Sequence, residues 1–326
     1  MRAFTLRIAL CTLLLSTVAS AQILHLADLT SPQIARLDHA RTIVLIPGGI
    51  LEEHGPYLPV YTDGYADRYY TEQLAQSLAA RPGWTVVIFP EIPLGFCGAN
   101  CMGGKWNFAG SITVRLATFR AIYMDLASSL GEQGFRWIFI VHDHGDPAHN
   151  QALTQAADFF HDTYGGAMVH LFGLITVNAC YDAASTVLDQ KAAGEDGFTV
   201  HAGAGEHSQI LFLHPELVDP NYKSATPFTG RNFDDLYSLA AKPEWPGYYG
   251  SPRQATAALG KAVMTSCAAR LAKVSNQILD GLDPATLARF YDQLDPRDAI
   301  GDKAERAHDR ELAAKQAAWL SKHRLE

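Results

Sequence analysis

Four apolar runs bounded by turn residues recur in the first half of the chain. They are TIVLIPGG (42–49), WTVVIFPEIP (84–93), RWIFIVH (136–142) and AMVHLFGLITV (167–177). A strand that is half buried alternates apolar and polar residues, whereas a strand buried on both faces is apolar throughout. Each run therefore predicts one strand of a sheet that is covered on both sides.

The stretches between these runs have apolar residues at helical spacing. Examples are YADRYYTEQLAQSLAA, VRLATFRAIYMDLASSLGEQG and NQALTQAADFFHDTYG. Strands that alternate with amphipathic helices are typical of an α/β fold with a mainly parallel sheet. In such folds ligands bind outside the carboxyl ends of the strands, so polar residues that follow a predicted strand are candidates for chemistry.

The first candidates follow the first predicted strand in the stretch LEEHGPYLPVYTD. Because residues i and i+2 of an extended segment point the same way, Glu52 and His54 are expected to face one cavity while Glu53 faces away. Asp63 stands just before a helix predicted to begin at about Tyr65. Taken alone, Asp63 is read most simply as the N-cap of that helix.

The third predicted strand is followed by a second set of polar residues. His142, His144 and Asp146 occupy alternate positions, so they share one face if the chain stays extended. In the later stretch HAGAGEHS, His201 and Glu206 flank small residues that allow a close approach to a ligand. The alternative interpretation of Glu206 is an acid in the first turn of a helix.

These residue types favour metal chemistry over nucleophilic catalysis. The sequence contains no G-x-S-x-G, G-x-x-x-x-G-K-[ST] or H-E-x-x-H motif. Carboxylates and imidazoles without thiolates suit Zn²⁺, Mn²⁺ or Fe²⁺. A pair of ions that share a carboxylate is a common hydrolytic arrangement.

Composition narrows the classes of partner. The chain has 326 residues, 48% of them hydrophobic, so it can bury a substantial core. Its net charge of -8 gives no support for nucleic acid as a partner, because binding to phosphates requires clustered Lys and Arg. We expect a small-molecule substrate.

The N-terminal residues are typical of a secretory signal. Arg2 and Arg7 precede an apolar run and the sequence Ala19-Ser20-Ala21, and the run is short for a membrane span. Residues 1–21 are therefore predicted to be a signal peptide, with the mature chain beginning near Gln22 in a bacterial periplasm. No later segment is apolar enough to span a membrane.

Four cysteines follow the predicted signal, and an even number in an oxidising compartment is compatible with disulfides. Cys97 and Cys101 form the obvious local pair. The connectivity does not follow from the sequence, and the wide, irregular spacing of Cys180 and Cys267 argues against the rival interpretation, a four-cysteine zinc site.

Five ordered motifs resemble those of the creatininase family. GGILEEHGPYLPVYTD resembles its G-S-x-E-Q-H-G-P-H-L-P-x-x-T-D signature. NFAGSITV, HDHGDPAHN, HAGAGEHS and GYYGSPRQATAALG then follow in the family's order. The resemblance covers approximately residues 42–279. It implies a creatininase-like three-layer α/β/α sandwich with a mainly parallel central sheet at 22–283, followed by a C-terminal helical extension at 284–326.

The resemblance also implies a role for each candidate residue. Glu52 and His144 would hold one metal ion, His54 and Glu206 a second, and Asp63 would bridge the two. Asp146 matches a further acidic residue of the metal site, and His201 matches the catalytic histidine. The implied reaction is hydrolysis by water activated between two Zn²⁺ or Mn²⁺ ions, with Fe²⁺ as a further option. A homo-oligomer, by resemblance a hexamer, is also implied.

Departures from the family pattern bear on the substrate. Tyr57 replaces a common histidine and His142 an asparagine, and we predict that both contact substrate. Gly145 and Gly197 stand where creatininase has aromatic residues around its flat substrate. We therefore expect hydrolysis of a small cyclic amide rather than creatinine itself. The alternatives are a lactone or C–C bond hydrolase with the same metals, or a periplasmic metal- or ligand-binding protein without catalysis.

Overall fold

A five-stranded parallel sheet forms the centre of the protein, for which a computed structural model describes residues 22–293 and 299–323. The strands are β1 (Gln22–His25), β2 (Thr42–Pro47), β3 (Thr85–Ile88), β4 (Trp137–Val141) and β5 (Ala167–His170). Their order across the sheet is β1-β3-β2-β4-β5, and all neighbouring pairs are parallel. The predicted α/β class is confirmed.

Helices connect the strands and cover the sheet. They are α1 (Ser31–Ala35), α2 (Thr62–Ala79), α3 (Leu116–Glu132), α4 (Pro147–Tyr164), α5 (Ile175–Asn178), α6 (Gln190–Asp196), α7 (Ala204–Leu213), α8 (Phe233–Ala240), α9 (Ala257–Leu279) and α10 (Ala299–Lys322).

The alternation of side chains along the strands divides the core into two layers. Ile43 and Leu45 of β2 pack with residues of α2 and α9 on one face of the sheet. Val44 and Ile46 pack with residues of α3 and α4 on the other face. Because both faces are covered, each strand is apolar throughout, as the sequence pattern predicted. The result is a three-layer α/β/α arrangement.

The site lies where the winding of the sheet changes direction. Strand β3, which follows β2 and α2 in the chain, pairs with one edge of β2, whereas β4 pairs with the other edge of β2. Helix α2 packs on one face of the sheet and α4 on the opposite face. The helices that follow β2 and β4 therefore cover opposite faces, which leaves a crevice between the carboxyl ends of these two strands. The segments after β2 and β4 carry the candidate residues Glu52, His54 and His144.

Two boundaries and one strand differ from the sequence prediction. Helix α2 begins at Thr62, so Asp63 lies in its first turn; its N-cap position is Tyr61, which makes no capping bond. In the fourth apolar run, strand β5 ends at His170, and the rest of the run forms a turn and the start of α5. Strand β1 was not predicted, because four mostly exposed residues at a sheet edge give no apolar run.

Two disulfides pair the four cysteines. Cys97 bonds to Cys101, and Cys180 bonds to Cys267 of α9. The rival zinc site is therefore excluded. The second pairing joins residues 87 positions apart, a connection that no local spacing indicates.

The described helices include none that is both long enough and apolar enough to cross a bilayer. The predicted signal peptide, residues 1–21, lies outside the described residues. Helix α10 packs on the body of the protein, where its Asp309 Oδ1 accepts a hydrogen bond of 3.0 Å from the N–H of Leu116.

Candidate metal centre

Six buried or partly buried side chains meet at the carboxyl end of the sheet. We call them the carboxylate–histidine cluster: Glu52, His54, Asp63, His144, His201 and Glu206. They come from the segment after β2, the first turn of α2, the segment after β4, and the first turn of α7 with the loop before it. The structure thus brings together residues from three separate sequence motifs.

Their donor atoms form three sets in which all atoms lie within 4.8 Å of one another. The sets are Glu52, Asp63 and His144; His54, Asp63 and Glu206; and Glu52, His54 and His201. Such spacing suits several ligands of one ion, and oxygen and imidazole donors suit Zn²⁺, Mn²⁺ or Fe²⁺.

Asp63 is common to the first two sets. Its Oδ1 lies 3.1 Å from Nε2 of His54, and its Oδ2 lies 3.3 Å from Nδ1 of His144. The two oxygens of one carboxylate therefore face two different imidazoles. Asp63 is therefore the residue that joins these two sets of potential ligands.

Each of the three imidazoles is fixed by a backbone carbonyl on the ring nitrogen that points away from the carboxylates of the cluster. Nδ1 of His54 bonds the carbonyl of Glu52 (3.1 Å), Nε2 of His144 that of Cys97 (2.6 Å) and Nε2 of His201 that of Glu53 (2.7 Å). Since carbonyls only accept hydrogen bonds, those nitrogens carry the protons. The opposite nitrogens can then act as ligands or proton acceptors, the arrangement that metal-binding histidines commonly show.

The disulfide loop formed by residues 97–101 supports two members of the cluster. The carbonyl of Cys97 accepts from His144, and the N–H of Ala99 donates to Oε1 of Glu52 over 2.6 Å. Cys97 has a φ of 47°, a conformation that non-glycine residues seldom adopt. The loop is therefore part of the structure that orients Glu52 and His144.

Glu206 is held by the loop before α7. The N–H of Ala202 donates a hydrogen bond to Glu206 Oε2, and Ala202 has a φ of 49°, in the left-handed region. The same Oε2 atom lies 3.7 Å from Nε2 of His54. Small residues in this loop allow the backbone to reach the carboxylate, as the motif HAGAGEHS indicated.

Some buried atoms of the cluster have no hydrogen-bond partner among the described residues. They are Nε2 of His54 and Oδ2 of Asp63, both at the centre of the cluster. A buried polar atom without a partner is costly, and a bound cation would satisfy both. The residues present therefore fit a metal ion.

The electrostatics of the cluster favour positive charge. Burial would lower the pKa of His54, but the Asp63 carboxylate, 3.1 Å from its Nε2, outweighs burial and raises that pKa to about 10. Burial would raise the pKa of Asp63, but the close imidazoles of His144 and His54 keep it below its ordinary value. Burial raises the pKa of Glu206 to about 7. Ionised carboxylates here need a cation, supplied by a proton or by a metal ion.

His201 differs from the other two imidazoles. Burial lowers its pKa to about 4 despite the charge of Glu52, so the ring is neutral at pH 7. Its Nδ1 lies 3.4 Å from Oε1 of Glu52 and 4.0 Å from Oε2 of Glu206. A neutral imidazole with a free nitrogen facing the cluster can accept a proton.

Glu53 is more involved than the sequence suggested. It faces away from the ligand atoms of the cluster, but it is buried, and its Oε1 lies 3.6 Å from Nε2 of His201. Burial raises its pKa to about 8, so the carboxyl is largely protonated at pH 7. The strand periodicity gives its direction but not its burial, to which the close approach of the Gly247 backbone contributes: a Cβ there would clash with Oε2 of Glu53.

The structure does not bring three other predicted residues into the metal-capable sets. Asp146 lines the cavity, but as N-cap of α4 its Oδ1 accepts from the N–H of His149. Tyr57 packs against His207 and Tyr248, and His142 is buried beneath the cavity; neither belongs to the cavity lining. His142 instead packs against His149, with its Nε2 3.4 Å from the carbonyl of Leu94, whereas His144 faces Glu52 and Asp63.

His142 belongs to a second set of imidazoles, which we call the inner histidine group: His142, His149 and His170. All are buried, and His142 and His149 have ring centroids 4.3 Å apart. Burial lowers the pKa of His142 and of His170 to about 3, so these rings are neutral. The carboxyl nearest to His142, that of Asp67, lies 3.8 Å away and has a raised pKa because it is buried.

A cavity of about 450 Å³ opens onto the cluster. Its apolar lining includes Met102, Phe172, Leu188, Val263 and Phe290. No role for Asp143 or Tyr181 followed from the sequence, yet both line the cavity; the hydroxyl of Tyr181 donates to the Asp143 carboxyl at 2.8 and 2.9 Å from its two oxygens. A side chain at Gly145 would meet open space, so this glycine widens the cavity where the resemblance implies an aromatic residue.

Comparisons with known proteins agree with the sequence motifs. The family model Creatininase, described as creatinine amidohydrolase, matches residues 27–275. A creatinine amidohydrolase from Pseudomonas putida is 21% identical over 72% of this chain and 88% of its own length. A mycofactocin precursor peptide peptidase from Mycobacterium ulcerans is 25% identical over 76% of this chain and 92% of its own length.

Solved structures show the same fold. A putative creatinine amidohydrolase from Bacteroides fragilis has 24% identity and a TM-score of 0.55, covering 80% of this chain and 98% of its own. A structure described as creatininase Mn has 18% identity and a TM-score of 0.57, covering 81% of this chain and 100% of its own. Another, a mutant creatininase, is described as Zn-Zn type; it has 18% identity and a TM-score of 0.57, with 80% and 98% covered.

Proposed function

The chain belongs to the creatininase family, and from that membership we propose that it hydrolyses the C–N bond of a small cyclic amide at a site for two divalent cations. The observation that carries the proposal is the position of Asp63. Its two oxygens face His54 and His144 separately, and it is common to two sets of potential ligands. A single-ion site would not need a carboxylate placed between two imidazoles.

We propose the following ligands. Glu52 and His144 would hold one ion, His54 and Glu206 the other, and Asp63 both. Support comes from the unpartnered Nε2 of His54 and Oδ2 of Asp63, and from the backbone carbonyls that fix each imidazole. When bound, Zn²⁺ or Mn²⁺ lowers the pKa of water from 15.7 toward about 7 and polarises a carbonyl group.

His201 would transfer the proton. Its Nε2 donates to the carbonyl of Glu53, so Nδ1 is the free nitrogen, and it faces the cluster. Because the ring is neutral at pH 7, it can accept a proton from the attacking water at Nδ1 and pass it to the leaving nitrogen. Glu53 and its backbone would keep the ring in this orientation.

The proposal is tested by metal analysis of the purified chain and by a hydrolysis screen. After reconstitution with Mn²⁺ or Zn²⁺, we expect close to two ions per chain and turnover of a cyclic amide in a panel of creatinine, hydantoins, lactams, formamides and lactones. Turnover of lactones alone would show that the protein is a lactone hydrolase and not an amide hydrolase. Metal binding without turnover of any compound would favour a binding protein.

A second candidate is hydrolysis of an amide at the end of a peptide. The cavity of about 450 Å³ lies within the range of sites for drug-sized ligands, and Gly145 leaves space beside the cluster. One relative is named a precursor peptide peptidase. Short peptides therefore belong in the same screen, and their cleavage in preference to cyclic amides would select this candidate.

We also propose export to the periplasm. The basic, apolar and Ala-Ser-Ala order of residues 1–21 supports a signal peptide, and two disulfides are typical of an oxidising compartment. N-terminal sequencing of the chain from a periplasmic fraction should give Gln22 as the first residue. The implied hexamer stays a prediction, which light scattering of the purified chain would test.

A further inference from the structure

One wall of the cavity over the carboxylate–histidine cluster consists of apolar side chains. They come from the turn after β5, the segment after α5 and helix α9, and we call them the apolar wall: Phe172, Ala184, Leu188, Leu259 and Val263. A substrate group that lies against this wall leaves water, which is favourable for apolar groups. Resting on the function proposed above, we propose that the apolar wall binds an alkyl or aryl substituent of the substrate, so that the protein selects cyclic amides with a large apolar side group.

The apolar wall is held in place by the core and by a disulfide. Leu259 and Val263 are buried and lie one turn apart on α9, and Cys267 follows one turn later on the same side of the helix. The bond from Cys267 to Cys180 holds the segment that leads to Leu188 against α9, and Leu188 packs on the same core cluster as Val263. A wall fixed in this way can discriminate between substituents by their size and polarity.

Two glycines that line the cavity leave room next to the cluster. Gly145 directly follows His144, and Gly205 directly precedes Glu206. A Cβ atom added at either glycine would meet no heavy atom within 4 Å outside its own local backbone. The cavity of about 450 Å³ therefore has space beside the potential metal ligands for a ring or a branched chain in addition to the amide.

The polar residues of the cavity do not favour an anionic substituent. Among the described residues that line it, every ionisable side chain is an aspartate, a glutamate, a histidine or a tyrosine, and none is a lysine or an arginine. Proteins commonly bind carboxylates and phosphates with guanidinium or ammonium groups. Away from the proposed metal ions, a substrate anion would find no such group in this part of the chain, whereas an apolar substituent needs none.

The test uses the metal-loaded chain and four hydantoins that carry a methyl, butyl, benzyl or carboxyethyl group at carbon 5. We expect kcat/KM to be at least about tenfold higher for the butyl and benzyl compounds than for the methyl compound, because each buried CH₂ group contributes about fourfold. The carboxyethyl compound, which has nearly the length of the butyl compound, should be hydrolysed no faster than the methyl compound.

Two variants with matched controls test where the substituent binds. Leu188→Asn makes the apolar wall polar, and its control is Val187→Asn, at an exposed position outside the cavity lining. Gly205→Leu fills space next to the cluster, and its control is Gly194→Leu, at a glycine of α6 that has equal space outside the lining. Both test variants should lower kcat/KM about tenfold for the butyl and benzyl compounds and less than about threefold for the methyl compound. The controls should leave these ratios unchanged, and metal analysis of each variant separates a change in the cavity from damage to the cluster.

Calorimetric binding of the same compounds gives a second measurement that does not need turnover. If the chain hydrolyses none of them but binds the butyl and benzyl compounds most tightly, and Leu188→Asn removes this preference, the proposed function fails and the role of the apolar wall stands. If the chain hydrolyses them but the methyl or carboxyethyl compound equals the butyl compound in kcat/KM and affinity, the role of the wall is wrong while the proposed function stands. Neither binding nor turnover of any compound would overturn both.

Discussion

The carboxylate–histidine cluster and the inner histidine group each contain three buried imidazoles, yet their chemistry differs. In the cluster, the carboxylates of Glu52 and Asp63 lie 3.0 to 3.4 Å from imidazole nitrogens, and the pKa of His54 rises to about 10. In the inner group, burial lowers the pKa of His142 and His170 to about 3. The comparison shows that neighbouring carboxylates, rather than imidazole or burial, distinguish a potential cation site from structural packing.

The largest expected effect comes from removing the carboxylate that both ion sites share. Asp63→Asn keeps the shape of the side chain but weakens two sites, so we expect loss of bound metal and a fall in kcat of more than about 100-fold, since loss of even an outer partner costs 10–100-fold. Metal content and turnover are the measurements. The matched control is His170→Gln in the inner group, which should keep the metal. Full metal content in Asp63→Asn would contradict the shared-ligand assignment.

Substitution of His201 tests whether this imidazole transfers a proton while the other two imidazoles of the cluster bind metal. His201→Ala should keep two ions per chain and lower kcat by about 10²–10⁴-fold, the usual contribution of general acid–base catalysis. His144→Ala should instead lose metal. If His201→Ala lost an ion, His201 would be a ligand, as the set of Glu52, His54 and His201 also allows.

The two disulfides are expected to have different roles: Cys97–Cys101 supports the carboxylate–histidine cluster, and Cys180–Cys267 stabilises the fold. Replacing Cys97 and Cys101 by Ser loosens the loop that contacts Glu52 and His144, so we expect the metal dissociation constant to rise about 10–100-fold. Replacing Cys180 and Cys267 should lower the free energy of unfolding by about 2–4 kcal/mol and leave metal affinity unchanged. Equal metal affinities in both double variants would contradict the role of the loop.

The smallest expected effect concerns the inner group. The folded-state pKa of His170, about 3, lies below its unfolded value of about 6.5, so the unfolded chain binds more protons. The contribution of neutral His170 to stability is therefore present above pH 6.5 and is lost as the pH falls toward 3. His170→Gln should destabilise the protein by about 1 kcal/mol at pH 8 and flatten this dependence. Urea midpoints at pH 8 and pH 4.5 test it, and identical pH slopes in both proteins would contradict it.

Much of the fold follows from local patterns in the sequence. The runs containing β2, β3 and β4 are apolar because both faces of the sheet are covered, and the helices α2, α3 and α4 have regular spacing. The positions after β2 and β4 could be singled out because parallel strands end at one edge. Edge strand β1 was not predictable, because its residues do not form a continuous apolar run. The end of β5 was not predictable, because the apolar run continues past it into α5.

The site was predictable only as far as local geometry and the motifs reach. Alternation along an extended segment placed Glu52 and His54 together, but after β4 it did not indicate that His142 is buried outside the cavity lining. The contributions of Asp143, Tyr181 and Glu305 to the cavity depend on contacts between distant segments. The Cys180–Cys267 bond has the same origin, because its partners are brought together only by the packing of α9.

The proposal of two ions that share Asp63 is tested most directly by a crystal of the Mn²⁺-reconstituted protein, with anomalous scattering measured at the manganese edge. We predict two peaks, one among Glu52, Asp63 and His144 and one among His54, Asp63 and Glu206, with none in the inner histidine group. A single peak in the carboxylate–histidine cluster, two peaks that Asp63 does not join, or no peak there would contradict the proposal.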